Sequence, residues 1–246
     1  MKKITLFLLV FACSPFVCAE QNILTSSNLP IVVITTDLNS ETNTQYDIVD
    51  DPKVSATMKI INRPQGQRNY LTDVTNAAYL NYNGKIGIEL RGSSSQDLPK
   101  KPYGFSTKLA DNTTNNNVSL LGMPSENDWI LNSLAFDPSM IRDFLSYELS
   151  RNMGNYAPRG VFVEVVVNDD YKGVYILMEK IKIDDNRVNI QKMTDTDNDF
   201  PNVTGGYIVK ADKTTGGDAV AWSMESYNGY TDYLYDNPKP EVITNA

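Results

Sequence analysis

The chain has 246 residues, with 22 Lys+Arg, 30 Asp+Glu, no histidine and two cysteines, and a formal charge of −8. The absence of histidine excludes Ser-His-Asp and Cys-His nucleophiles, imidazole bases and histidine-held zinc, leaving carboxylates, lysine, arginine, hydroxyls, backbone amides and oxygen-bound metals to do any chemistry. The acidic balance disfavours non-specific nucleic-acid binding.

The chain opens MKKITLFLLVFACSPFVCAE. Lys2 and Lys3 precede a short apolar run that exits through Val17 and Ala19, the pattern of an export signal over residues 1–19, cut after Ala19. A membrane span needs about 20 apolar residues, more than this run offers; Cys13 as a lipidated residue is a weaker alternative, because bulky Phe11 stands just before Ala12-Cys13. Both cysteines lie inside the signal, so the mature chain has no thiol and no disulfide. Its balance of 20 basic against 30 acidic residues is −10. The expectation is an exported bacterial protein (secreted, periplasmic or on the cell surface) with no transmembrane segment after signal removal and a core large enough to stand without crosslinks.

Residues 20–29 form a polar leader, and 30–246 read as one domain. Strands are expected over 30–36, 54–61 and 85–90, where β-branched or alternating apolar residues recur. The stretch RGSSSQDLPKKPYGF, from Arg91 to Phe105, then joins the strand ending at Leu90 to another over 102–109. Arginine, lysines, hydroxyls and a glycine-freed backbone are the donors a phosphate needs, although the stretch is no Walker A loop. From composition alone a solvated hairpin loop is the favoured reading of the same residues.

The spacing of Met140, Ile141, Phe144, Leu145, Leu149 and Met153 predicts a helix over 138–153, with Asp137 as N-cap, Pro138 at N1 and Gly154 closing it. A hairpin follows, with strands over 161–167 and 174–183 around the turn NDDYKG, and a further strand over 205–210. The run from Asp195 to Asp199 has the alternating acids of a calcium loop, but Phe200 stands where glycine is required, so it reads as a polar turn. These elements suggest an α+β fold, a mostly antiparallel sheet with one prominent helix.

In order along the chain, GIELRGSSSQ (87–96), PKKPYGF (99–105), LLGMPSENDWIL (120–131), DPSMIRDFLSYELSRNMG (137–154), YAPRGVFVEVVVNDDYKGVYILMEKI (156–181) and GGYIVKAD (205–212) resemble the CotH kinase family, the spore coat protein H-like atypical kinases, over roughly residues 28–244. The resemblance implies the N-terminal part of an atypical protein-kinase-like fold, with ATP and Mg or Mn as cofactors and phosphorylation of serine on a secreted or surface protein. It places Arg91, Ser93 and Lys101 toward the nucleotide phosphates, with Glu179 and Lys180 as a charged pair nearby and Arg142 as a further nucleotide-binding candidate. The family's catalytic aspartate and a WDFD-like metal-binding run would lie beyond Ala246, since Trp222 is followed by Ser-Met-Glu and Trp129 by Ile-Leu-Asn; no metal ligand is assigned. The expectation is therefore an N-terminal portion of a secreted kinase, catalytically incomplete by itself. The alternative is a non-catalytic surface module that binds glycan or protein.

Overall fold

The computed structural model describes residues 23–214, 218–227 and 229–242; the export-signal reading lies outside them. The strands in chain order are β1 (Ser26–Ser27), β2 (Ile31–Thr36), β3 (Val54–Ile61), β4 (Asn69–Tyr70), β5 (Leu80–Leu90), β6 (Tyr103–Lys108) and β7 (Asp128–Asn132). The helix α1 (Arg142–Asn152) follows, then β8 (Gly160–Val167), β9 (Asp170–Glu179), β10 (Ile208–Ala211), β11 (Val220–Ser226) and β12 (Gly229–Asn237).

Seven strands close into a barrel in the order β2-β3-β5-β6-β7-β9-β8, while β10, β12 and β11 form a separate three-stranded antiparallel sheet. This overturns the expected α+β, kinase-like sheet with a prominent helix. Closure comes from β2, which pairs antiparallel with β3 on one edge and parallel with β8 on the other. Its sequence, IVVITT, shows that a strand forms but carries no record of the second partner. A strand paired on both edges leaves no open edge, which is how barrels remove the hazard of exposed backbone donors and acceptors.

The barrel interior follows the two-residue period of its strands. Tyr103, Phe105 and Thr107 of β6 point inward beside Trp129 and Leu131 of β7 and Tyr175 and Leu177 of β9. Trp129, Tyr175 and Phe105 are the largest fully buried side chains, and burying each aliphatic neighbour contributes about 1.5–3 kcal/mol. The expected hairpin forms as β8–β9, its two-residue turn made by Asn168 and Asp169, with φ of 50° and 62°. Positive φ at both central positions is the type I′ turn that matches strand twist. Asn168 also accepts the Thr36 N–H at 2.9 Å, tying the turn to β2.

The helix is shorter than the 138–153 its periodicity suggests. Asp137 accepts the N–H groups of Ser139, Ile141 and Arg142, so the chain makes a capped turn first, and Met140 sits at φ 57°, outside helical space. Gly154 ends the helix at φ 85°, as expected of a C-terminal glycine. The apolar stripe also divides differently. Met140, Phe144 and Tyr147 pack on the outside of the barrel against Ile130, Leu134, Ile176 and Met178, while Ile141, Leu145, Leu149 and Met153 are exposed.

Candidate functional site

The connection from Arg91 to Pro102 leaves β5 at one end of the barrel and folds back on itself. The Arg91 N–H donates to the Pro102 carbonyl at 3.1 Å, and a short 3-10 turn over Ser94–Asp97 bends the middle. Gln96 braces the turn, donating to the Gly92 carbonyl at 2.6 Å and to Asp50 at 2.9 Å. Gly92 has φ +90°, and a Cβ there would strike the Ser95 hydroxyl, so the loop needs glycine at this point.

The ammonium groups of both loop lysines are tied to backbone carbonyls. Lys101 donates to the Gln96 carbonyl. Lys100 reaches the Val174 carbonyl and lies over the Tyr175 ring, 4.7 Å from its centroid. Burial lowers the Lys100 pKa, which Glu164 partly opposes.

A hollow of about 740 Å³ opens beside the loop, and Arg91, Gly92, Ser93 and Ser94 form one wall. The other wall comes from the stretch around β10 and contributes Lys210, Asp212, Lys213 and Asp218. Lys213 donates to the Ser94 hydroxyl at 3.4 Å across the gap. Cations from two distant segments therefore meet where the loop lysines are absent. The block GGYIVKAD contains Lys210 and is followed by Lys213, but the sequence gives neither a role; its signal is two lysines flanking an aspartate at the end of a strand.

Lys210 is held at 2.5 Å from Asp218, which Lys239 also contacts at 3.0 Å. Burial pulls the Lys210 pKa down, but the bond to Asp218 and neighbouring carboxylates leave it raised. Desolvation by its surroundings lowers the Arg91 pKa, against the pull of Tyr147, Glu89 and Asp212. Both side chains stay cationic at neutral pH.

Arg91 is also part of a second, smaller hollow of about 290 Å³, lined with Pro102, Leu134, Phe136 and Arg142 among others. Arg142 is largely exposed, its Nε 3.6 Å from Asp137. The structure thus gathers Arg91 and Ser93 in one hollow and Arg91 and Arg142 in the adjoining one.

Glu179 and Lys180 lie in neither. Glu179 is fully buried at the end of β9, opposite Trp129. Its carboxylate accepts the Arg159 N–H at 3.0 Å, Arg159 Nε at 2.8 Å and Arg187 Nη1 at 2.8 Å. Arg187, also buried, stacks over Trp129 at 4.8 Å. Lys180 is exposed, and its charge acts on Asp128. Nearby, Lys182 bridges Glu126 at 2.7 Å and Asp128 at 2.8 Å, and Asp128 accepts the Ser106 hydroxyl at 2.6 Å. Burial would raise the Asp128 pKa, but these bonds outweigh it and hold the carboxyl below its ordinary value.

The site is a closed barrel whose rim loop faces a polar hollow lined by three cations, Arg91, Lys210 and Lys213, and four carboxylates, Asp50, Asp97, Asp212 and Asp218. The chain belongs to the CotH kinase protein family, whose pattern matches residues 88–242. Membership carries a kinase-like function in general terms. The match begins inside β5, so β2, β3 and most of β5 precede it although the barrel requires them. No match was found among curated proteins.

Proposed function

We propose that the hollow beside Arg91 binds the phosphates of ATP and that the protein serves ATP-dependent phosphorylation of serine on an exported or surface protein. The observation that carries this reading is the meeting of Arg91, Lys210 and Lys213 with the Gly92 turn and the Ser93–Ser94 hydroxyls around one polar space. Phosphoryl transfer depends mainly on positioning and on neutralising the charge of the triphosphate, and these groups supply that part.

The residues present also fit a divalent cation arriving with the nucleotide. Mg is held mostly by phosphates and water with one or two carboxylates, and Asp97 and Asp212 line the hollow. Among the described residues no cluster of three metal-ligating side chains occurs, so the phosphates would supply the rest of the coordination. The metal would neutralise charge on the transferring phosphoryl group. Arg91 would hold phosphate oxygens through its guanidinium fork, Lys210 and Lys213 would add charge from the opposite wall, and Gly92 would let the backbone approach.

Export follows from the signal pattern over residues 1–19, and N-terminal sequencing of the protein recovered from outside the cytoplasm checks it: a mature terminus at Glu20 is expected, and an intact Met1 would refute cleavage. No helix among the described residues is long and apolar enough to cross a membrane.

Calorimetric titration with MgATP tests the phosphate site. Charge-assisted hydrogen bonds contribute about 1.5–3 kcal/mol, so Arg91→Ala or Lys210→Ala should weaken binding about tenfold or more. Unchanged affinity in both variants would remove the hollow from consideration.

One feature favours the glycan-binding alternative. Val209, Trp222 and Met224 are exposed on the three-stranded sheet, with Trp222 stacked on Tyr233 at 5.0 Å and 9°. Flat exposed rings of this kind stack on sugars. Glycan binding abolished by Trp222→Ala, in a protein without nucleotide affinity, would favour that reading over the first.

A further inference from the structure

Arg187 carries donors that the rest of the protein leaves unused. Its side chain is fully buried, and Nη1 donates to Glu179 at 2.8 Å. Nε and Nη2 are also buried, and neither has a hydrogen-bond partner among the described residues. A buried charged donor left unpaired is costly, and native proteins keep few of them. Nε and Nη2 share one edge of the guanidinium, the fork that receives a carboxylate through two parallel bonds.

The carboxylates of the neighbouring segments are committed elsewhere. Glu179 accepts Arg187 Nη1, Arg159 Nε and the Arg159 N–H. Glu126 and Asp128 hold Lys182. Asp184 accepts the Asn186 N–H at 2.8 Å, and Asp185 is exposed. Trp129, under the guanidinium at 4.8 Å, adds an apolar wall that raises the cost of the empty fork.

Arg187 belongs to a strap, residues 182–190, that follows β9. The strap's backbone bonds are local: Asp184 N–H to the Val188 carbonyl at 3.2 Å, Arg187 N–H to Asp184 at 3.0 Å and Val188 N–H to Lys182 at 3.1 Å. At its exposed tip, the Asn186 carbonyl accepts Arg159 Nη2 at 2.7 Å, and the Asn186 amide donates to the Ser125 carbonyl at 3.0 Å. A segment held by so few ties can open while the barrel stays folded, as ligand-covering segments do. Tyr156, 37% exposed, feels the charges of Glu179, Arg187, Arg159 and Arg151 together, so the arginine cluster lies close to the surface.

We propose that the strap covers a binding site for a small organic carboxylate, held by Nε and Nη2 of Arg187 beside the ion pair with Glu179. The ligand supplies the two acceptors that the fold leaves out, so Arg187 lies between two carboxylates, one from β9 and one from the ligand. Opening of the strap admits the ligand, and its closing buries the new pair. The site uses none of the residues of the Arg91 hollow.

A crystal structure of the wild-type protein grown with sodium acetate reads the fork directly. A carboxylate on Nε and Nη2 is expected; water alone there would overturn the site. In solution, acetate should raise the thermal midpoint above that in chloride at equal ionic strength, because a ligand of the folded state stabilises it. Arg187→Lys keeps the charge but loses the fork, and should weaken the apparent acetate affinity about tenfold. Arg91→Ala should leave the acetate effect unchanged, which separates this site from the phosphate hollow. Equal midpoints in acetate and chloride, or an acetate effect that Arg91→Ala removes, would refute the proposal. If Arg187→Lys does not fold, hydrogen exchange on the wild type decides: acetate should slow the amides of residues 183–190 relative to chloride, and identical exchange in the two salts would refute the site.

Discussion

Glu179 shows how far a residue's role depends on what the fold puts beside it. At the end of an apolar strand, next to Lys180, it looks like a charge that could enter a cleft. In the folded protein its carboxylate is consumed by Arg159 and Arg187, and Arg187 is itself buried. Removing one partner of a buried ion pair strands the other, which costs about 3–5 kcal/mol. Glu179→Gln should therefore lower the unfolding free energy by that amount, read as a lower denaturant midpoint at unchanged slope, and MgATP affinity measured on the folded fraction should hold. A selective loss of affinity at unchanged stability would return Glu179 to the nucleotide site.

Asp128 carries a pH signature of its own. Its folded-state pKa is depressed by Lys182 and Ser106 despite burial. A depressed carboxylate stabilises the fold above its unfolded pKa of about 3.9 and gives that stability up as pH falls through the folded value. Below about pH 4 the wild-type protein should lose stability more steeply than Asp128→Asn, as thermal melts across pH 2–6 would report. Parallel curves would contradict the assignment.

At the scale of elements, the rim loop depends on a backbone conformation more than on its charges. Gly92 at φ +90° faces the Ser95 hydroxyl, so Gly92→Ala both strains the backbone and collides. The expected result is a destabilisation of about 1–2 kcal/mol, with weakened MgATP binding from a displaced Arg91. Unfolding and titration curves that overlay the wild type would show the loop to be indifferent to this turn. The glycine was visible in RGSSSQ as a flexible point, but the fates of Lys100 and Lys101 were not. Their positions are set by carbonyls at Val174 and Gln96, the first from a strand far along the chain. The helix teaches the same lesson: its 3.6-residue periodicity is real, yet it could not show which of two apolar rows would meet the barrel.

At the scale of the whole molecule, the folding unit is larger than the stretch that matches the family. Residues 88–242 omit β2, β3 and most of β5, leaving β8 and β6 with unpaired edges and the interior open to water. A chain of residues 88–242 should fail to unfold cooperatively, whereas residues 20–246 should show a single sigmoidal transition. A cooperative transition in the shorter chain would mean that the barrel is dispensable to the matched part.

The sequence by itself determined the local events: most of the barrel strands, a hairpin turn within residues 168–173, the glycine at the rim loop, the absence of imidazole chemistry, and the family. Each depends on residues close together in the chain, through backbone sterics, side-chain period or composition. Only the tertiary structure decided that β2 joins β8 to close a barrel, that Glu179 is locked in an ion pair, and that Lys210 and Lys213 face Arg91. Those outcomes depend on pairings between segments far apart in sequence, and an edge of backbone donors and acceptors is the same whichever strand it will meet.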